Sequence, residues 1–230
     1  KNIKPILGCE LYLAFNDSCI KTKENIKLTH FLVLAKNLEG WKNLIKIVST
    51  SNSEENYYRK PRLSIDKLKE LVTGKNLISF CGHMGSYLPD LIEQHPDNYK
   101  KHCLNFIDEM KDIFGKENFF LESQLMDKEY MPKQIELSDI MRDLSSLSNT
   151  KVLATPDAHY AEQEDAIDHR ILLCNNLKTT LTNINKKIIN EESVPFDCFF
   201  KSDKYYILSP EEMNELHKEE EIENTQLVDS

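Results

Sequence analysis

The chain has no stretch approaching the about 18 consecutive apolar residues of a membrane span, and its first residues, KNIKPILGCELYLAF, contain neither an apolar signal core nor a small-residue cleavage site. A cytoplasmic protein with no membrane partner is therefore expected. Cys-x-x-Cys pairs are also missing: Cys9, Cys19, Cys81, Cys103, Cys174 and Cys198 are scattered, which excludes a dense disulfide framework and predicts free thiols. Basic residues are in deficit, 29 Lys and Arg against 38 Asp and Glu, for a net charge of −9. That balance argues against a freestanding nucleic-acid binder, although acidic side chains that hold divalent cations count against net charge while serving such a ligand. No Gly-x-Gly-x-x-Gly, Walker loop or Gly-x-Ser-x-Gly elbow occurs, which disfavours dinucleotide enzymes, P-loop ATPases and α/β-hydrolases.

What is present is an ordinary globular composition, 40% apolar and 29% charged over 230 residues, enough for one large domain or two small ones. Strand-like and helix-like segments alternate. Strands are expected at 6–15, 29–35, 77–80, 118–125 and 152–154. Helices are expected at 38–50, where Trp41, Leu44, Ile45 and Val48 form an apolar stripe, and at 65–72, 98–115 and 133–147. In the helix at 98–115 the buried face is Cys103, Ile107, Met110 and Phe114, with Gly115 as terminator. A further helix after residue 161 is expected to bury Ile167, Ile171, Leu172 and Cys174, with His169 packed among them. The tail FFKSDKYYILSPEEM reads as a short strand, then a helix capped by Ser209 with Pro210 in its first turn and Glu212 at the capping-box position. Such alternation favours a parallel α/β sheet or barrel, in which polar residues at strand ends build the site.

Several strands do end in chemistry-bearing residues. In KVLATPDAHY the apolar strand stops at Pro156, and Asp157 and His159, two apart on extended chain, point the same way. A carboxylate beside an imidazole is half of a divalent-metal site; the plainer alternative is a helix cap and a loop histidine. Glu10 sits inside an apolar run and either needs a partner or faces water. His30 opens its strand and on its own reads as a strand-edge histidine. His83 lies between Gly82 and Gly85 in a tight turn, where the backbone can approach closely, and is the stronger candidate. Glu122 stands toward the end of its strand, while His95 and His102 read as surface residues. The polar loop SNSEENYYRKPRLS carries Arg59, Lys60 and Arg62 beside Tyr57 and Tyr58, a composition suited to gripping phosphate and also common on inert surfaces.

Taken in order, ILGCELYLA, HFLVLAKNLEGWKNLIKIVS, YYRKPRLS, LISFCGHMGSYLPDLI, NFFLESQ, VLATPDAHYAEQEDAIDHRILLC and YYILSPEEM closely resemble the PHP (polymerase and histidinol phosphatase) domain of the alpha subunit of bacterial-type DNA polymerase III. The resemblance implies a distorted (βα)7 TIM-like barrel of the PHP type over residues 1–208, with 209–230 a helical connector toward a polymerase core. It implies a mouth holding up to three divalent metals, zinc first and manganese or magnesium as alternatives. By position, Glu10, His30, His83, Asp157 and His159 become metal ligands. His83 stands where many polymerase versions have cysteine, a swap that zinc accepts. The family's opening His-x-His strand and its Thr-Asp-His-Gly segment are not in this sequence, so the expectation is an incomplete barrel and an incomplete ligand set.

The resemblance further implies part of a replicative DNA polymerase, with this domain hydrolysing a phosphodiester at a primer 3′ end as a metal-dependent 3′-5′ exonuclease. Glu10, Asp157 and His159 would serve the chemistry, and Arg62 and Arg59 would contact backbone phosphate. The expected partners are the DNA primer end, the polymerase core of the same chain and replisome subunits. A freestanding phosphoesterase acting on small phosphates and a catalytically inert platform are the competing readings.

Overall fold

A computed structural model describes residues 4–228; residues 1–3 of the expected domain and 229–230 of the expected connector lie outside the described residues. The first two strands, β1 (Leu7–Ala14) and β2 (Leu28–Ala35), are joined by residues 15–27, which contain no helix. Next come α1 (Leu38–Ser51), a small hairpin of β3 (Tyr57–Tyr58) and β4 (Lys60–Pro61), and α2 (Ile65–Leu71). From β5 (Leu77–Cys81) the chain runs through α3 (Tyr87–Gln94), α4 (Tyr99–Phe114), β6 (Phe119–Gln124), α5 (Pro132–Ser148) and β7 (Val152–Thr155). Six helical pieces follow, among them α6 (Ala166–Asn176), α7 (Leu181–Ile189), α8 (Asp197–Lys201), α9 (Pro210–Leu216) and α10 (Glu219–Glu223), the sixth being the 3₁₀ turn Gln163–Asp165, and the described chain ends in a second such turn, Asn224–Val228. Among the described residues no helix is long and apolar enough to cross a membrane.

The main sheet has the order β1-β2-β5-β6-β7. Its last three strands are parallel, as the helices between them require, but β1–β2 and β2–β5 are antiparallel. The all-parallel expectation therefore fails at β1 and β2: without a crossover helix, the chain folds straight back and pairs Leu7 with Ala35 and Ala14 with Leu28. The result is a partial α/β barrel of the PHP type rather than a closed one.

Period-2 alternation gives the sheet two distinct faces. Leu11, Leu13, Phe31, Val33, Leu121 and Val152 lie on the face covered by helices, in one core with Ile47, Leu88, Ile107, Met110 and Phe114. On the other face Ile78, Phe80, Phe120 and Leu153 form a smaller cluster with Leu32, Leu34, Leu227 and Val228. Continuing along that second face in period-2 register, the positions become Glu10, Tyr12, His30 and Glu122. One face is thus apolar at one end and ionisable at the other.

Helix α4 matches expectation, burying Cys103, Ile107, Met110 and Phe114 and stopping at Gly115. Helix α1 is rotated from the expected stripe: Trp41 and Ile45 are exposed, and Asn43, Leu44 and Ile47 face inward. Asn43 makes that possible by donating to the Leu71 carbonyl at 2.7 Å and accepting from the Thr73 amide at 2.9 Å, so its burial leaves no polar atom unmet. Helix α6 departs further, since Ile167, Ile171 and Leu172 are about half exposed and only Cys174 of the expected four is buried. The helix is pinned from its other side, where Arg170 donates to the carbonyls of Phe199 and Ser202 and Cys174 packs with Ile184, Val194 and Phe200. The strand expected in FFKSDKYYIL is instead α8 followed by a single bridge from Tyr206 to Tyr160, because Phe200 turns in to complete that cluster. All six cysteines are free.

The capping box at Ser209 forms as read, with Ser209 Oγ accepting from the Glu212 amide and Glu212 accepting from the Ser209 amide. Beyond it the chain is fixed to the sheet layer by charge: Arg142 forks onto buried Glu221 at 2.6 and 3.0 Å, and Asn224 donates to the Val152 carbonyl. Burial alone would raise the Glu221 carboxyl, but hydrogen bonds from His217 and Arg142 outweigh it and hold the group at about 2. A folded value below the unfolded one means stabilisation that is complete above the ordinary carboxylate range and fades as pH falls toward 2. Denaturant titrations are therefore expected to show roughly 2 kcal/mol lost through this group between pH 6 and pH 3. In Glu221→Gln that component of the acid slope disappears; an unchanged slope would refute the assignment.

Candidate metal centre

The ionisable end of the second face is where the carboxyl ends of β1, β5, β6 and β7 meet the amino end of β2. Strand direction explains the convergence: β2 runs opposite to its neighbours, so His30 at its start lies beside the later parts of β1 and β5. Tyr12 pairs with His30 across the ladder, and Glu10 Oε1 reaches His30 Nδ1 at 3.3 Å. The His30 and His83 rings are 5.9 Å apart.

His83 is placed by a turn that only glycine permits. A Cβ on Gly82 would overlap the Glu122 carbonyl oxygen and stand 2.9 Å from its amide nitrogen, so β5 leaves the sheet pressed against β6. This close approach lets His83 Nδ1 donate to Glu122 Oε2 at 2.8 Å, while Glu122 Oε1 accepts from Thr155 Oγ1 at 2.6 Å. Both members of the pair are buried, Glu122 at 2% exposure. With its proton on Nδ1, His83 keeps an Nε2 lone pair for another partner. Gly85 leaves room there: a methyl at that position would stand 3.4 Å from His30 Nδ1 and 3.5 Å from His83 Nε2.

On the far side, Asp157 Oδ1 lies 3.6 Å from His159 Nδ1, whose proton goes to the Asp157 backbone carbonyl at 2.9 Å. His159 therefore also presents Nε2. Its ring is walled by Phe199, His169 and Tyr205, with centroids at 4.4, 5.4 and 6.0 Å. His169 thus packs behind a candidate ligand, whereas His95 and His102 stack on each other at 3.7 Å elsewhere on the surface.

The electrostatics join the two halves. Burial is the largest influence on His83 and would lower it, yet the hydrogen bond and charge of Glu122, helped by Glu10 and Asp157, leave it raised. Burial raises the Asp157 carboxyl; His159 and His83 oppose that, while Glu122 and Glu10 add to it. Burial lowers His30 against the pull of Glu10, and His83 and Lys60 push the same way as burial. Imidazole nitrogens and carboxylate oxygens are the donor set of zinc or manganese, so the residue types fit a divalent ion. Their spacing is that of paired half-sites: among the described residues no group of three or more His, Cys, Asp or Glu side chains is gathered closely enough to hold one ion.

One expectation changes here. Arg62 is only 1% exposed, with its guanidinium donating to the carbonyls of Asn25 and Tyr58, so it anchors the β3–β4 hairpin instead of meeting phosphate. Arg59 is exposed at the hairpin turn, 5.8 Å over the Tyr58 ring. Glu122 is the site residue that the sequence reading did not assign. A carboxylate in an apolar strand needs a partner, as at Glu10, but its local sequence does not say which.

In Glu122→Gln, burial acts on His83 without its carboxylate, so the imidazole pKa followed by NMR is expected to fall from above the ordinary histidine value to below it. A value that stays raised would show that Glu122 does not control this ring.

Comparison with known proteins gives the family. A family model described as "PHP domain" matches residues 1–125, which include Glu10, His30, His83 and Glu122. DNA polymerase III subunit alpha of Treponema pallidum is 30% identical over 229 residues, 98% of this chain and 18% of the relative. The same subunit of Thermus aquaticus is 32% identical over 223 residues, 95% of this chain and 16% of the relative, and that of Borreliella burgdorferi is 31% identical over 228 residues, 97% and 18%. The chain spans less than a fifth of the length of these curated relatives, and their alignments reach past Asp157 and His159 where the family match does not. With more than half of its residues matched to the family model, the chain belongs to the PHP domain family.

Proposed function

We propose that this chain is the PHP portion of a DNA polymerase III alpha subunit and that its site hydrolyses a phosphodiester at a DNA 3′ end. The observation that carries this reading is that Glu10–His30 and His83–Glu122 share one end of one sheet face, the two imidazoles 5.9 Å apart, with Asp157–His159 just past the end of β7 and the Asp157 charge acting on His83. Glu10, His30, His83, Asp157 and His159 are the residues that would hold divalent metal, zinc in the first instance, with manganese or magnesium as alternatives. Bound there, the metals supply positive charge opposite a phosphoryl group and bring the pKa of water toward neutrality.

The chain's own residues do the rest. His83 and His159 keep their protons on Nδ1, against the Glu122 carboxylate and the Asp157 carbonyl, and so present Nε2 in fixed orientation. Asp157, raised by burial and by neighbouring carboxylates, is the group suited to take the proton of an attacking water. Glu10 orients His30 and adds negative charge that draws cations to this end. Within the full-length protein the partners are then the primer end, the polymerase core and replisome subunits, with DNA synthesis lying outside this span.

A second reading is a platform that binds metal without turnover, and the half-site spacing among the described residues favours it. Release of nucleotides from a 3′-labelled primer by the full-length protein separates the two. The exonuclease reading predicts activity that EDTA abolishes, that zinc or manganese restores, and that His83→Ala with Asp157→Ala reduces by at least about a hundredfold. Metal uptake with no hydrolysis of primer or small phosphates would establish the platform, and full activity in the double variant would exclude this site.

A further inference from the structure

Arg62 is buried with its guanidinium on backbone carbonyls, so it offers no phosphate contact at the ionisable end of the sheet. The β3–β4 hairpin brings another cation to the same edge. Tyr58 pairs with Lys60 across a turn at Arg59, whose φ of 63° makes the reversal unusually tight. Arg62 holds the hairpin through the Tyr58 carbonyl and the 15–27 connection through Asn25. Leu63 then fixes the base to β1: its amide donates to the Tyr12 carbonyl at 3.0 Å, and its own carbonyl accepts from the Ala14 amide at 2.8 Å. So clamped, the hairpin sets Lys60 Nζ 4.4 Å over the Tyr12 ring centroid and 3.2 Å from the Tyr12 hydroxyl. Tyr12 stands edge-on to His30 with ring centroids 5.3 Å apart.

We propose that Lys60 and the Tyr12 hydroxyl form the lip of this site that receives a backbone phosphate of the nucleic-acid strand, with Arg62 a positioning residue that acts through the hairpin. The inference rests on the phosphodiesterase reading above. Lys60 is exposed, so its ammonium retains donors for a phosphate oxygen beyond the one given to Tyr12. Through the Tyr12 ring, which stands between it and His30, the ammonium lies at the rim of the centre. The need for such a cation follows from the surroundings: Glu10, Glu122 and Asp157 collect negative charge where an anionic strand must approach. A lysine tethered by an aromatic ring lowers that barrier at the rim without entering the ligand set.

Two measurements on the full-length protein test this. In steady-state hydrolysis of a 3′-labelled single-stranded oligodeoxynucleotide, Lys60→Ala is expected to raise KM five- to tenfold with kcat within twofold. Tyr12→Phe, which keeps the ring, should raise KM about twofold, and Lys60→Arg should restore most of the loss because it returns the charge. Unchanged KM in Lys60→Ala, or equal loss in Lys60→Arg, overturns the proposal. Lysine acetylation read by mass spectrometry in EDTA, with and without the same oligonucleotide, is independent of turnover. Lys60 is expected to be protected at least threefold while Lys46 on the back of α1 is not, and equal labelling with and without the oligonucleotide overturns the proposal. If the wild-type protein hydrolyses nothing, the phosphodiesterase reading fails by itself and the labelling result alone decides whether this lip binds a strand.

Discussion

A carboxylate buried at 2% exposure in an apolar strand is the constraint on which this site depends. Glu122 lies on β6 between Leu121 and Ser123, and an unpaired charge there would cost several kcal/mol. Its two oxygens take hydrogen bonds from His83, which follows β5, and from Thr155, which ends β7. One side chain therefore ties together all three parallel strands at their carboxyl ends. It also fixes a histidine proton on Nδ1, leaving Nε2 turned toward His30. Structure and chemistry here are the same interaction viewed from two sides.

The rest of the site inherits its position from the sheet. Reversal of β1 and β2 brings the start of β2 to the end where β5, β6 and β7 finish, and period-2 alternation puts Glu10, His30 and Glu122 on one face. That face is apolar farther along, through Ile78, Phe80, Phe120 and Leu153, so the ionisable groups stand against a dry floor. Burial then moves the groups in opposite senses, Asp157 upward and His30 downward, while Glu122 reverses the sense for His83. Glu10, His30, Asp157 and His159 remain open to solvent on their outer side, so imidazoles and carboxylates on this floor form a set that a cation can reach. The hairpin adds a lysine at the rim by a different device, since Arg62 spends its guanidinium on two backbone carbonyls to hold it there.

How much could be read in advance follows the range of the interactions. The side-by-side placement of Asp157 and His159, the capping box at Ser209 and the apolar face of α4 ending at Gly115 are local, and each follows from neighbouring residues. The order of motifs carried the family because order survives where single positions are ambiguous. Features that depend on distant partners were not legible. Glu122 meets His83 across thirty-nine positions of sequence, and nothing near Glu122 marks it as more than a strand carboxylate. Arg62 is an arginine beside tyrosines in a polar loop, which resembles a phosphate contact until the carbonyls of Asn25 and Tyr58 close around it. The apolar face of α6 could not be oriented from periodicity, because Arg170 and Cys174 on the opposite side decide how that helix sits.

If buried Glu122 fixes His83 so that its free nitrogen serves a metal, the ring nitrogens of His83 report it in ¹⁵N NMR of the metal-free protein and during titration with zinc. The expected result is a neutral ring protonated at Nδ1 above its pKa, with the Nε2 signal shifting on zinc addition while Nδ1 keeps its proton. A ring protonated at Nε2, or an Nε2 signal that zinc leaves unmoved, would contradict it.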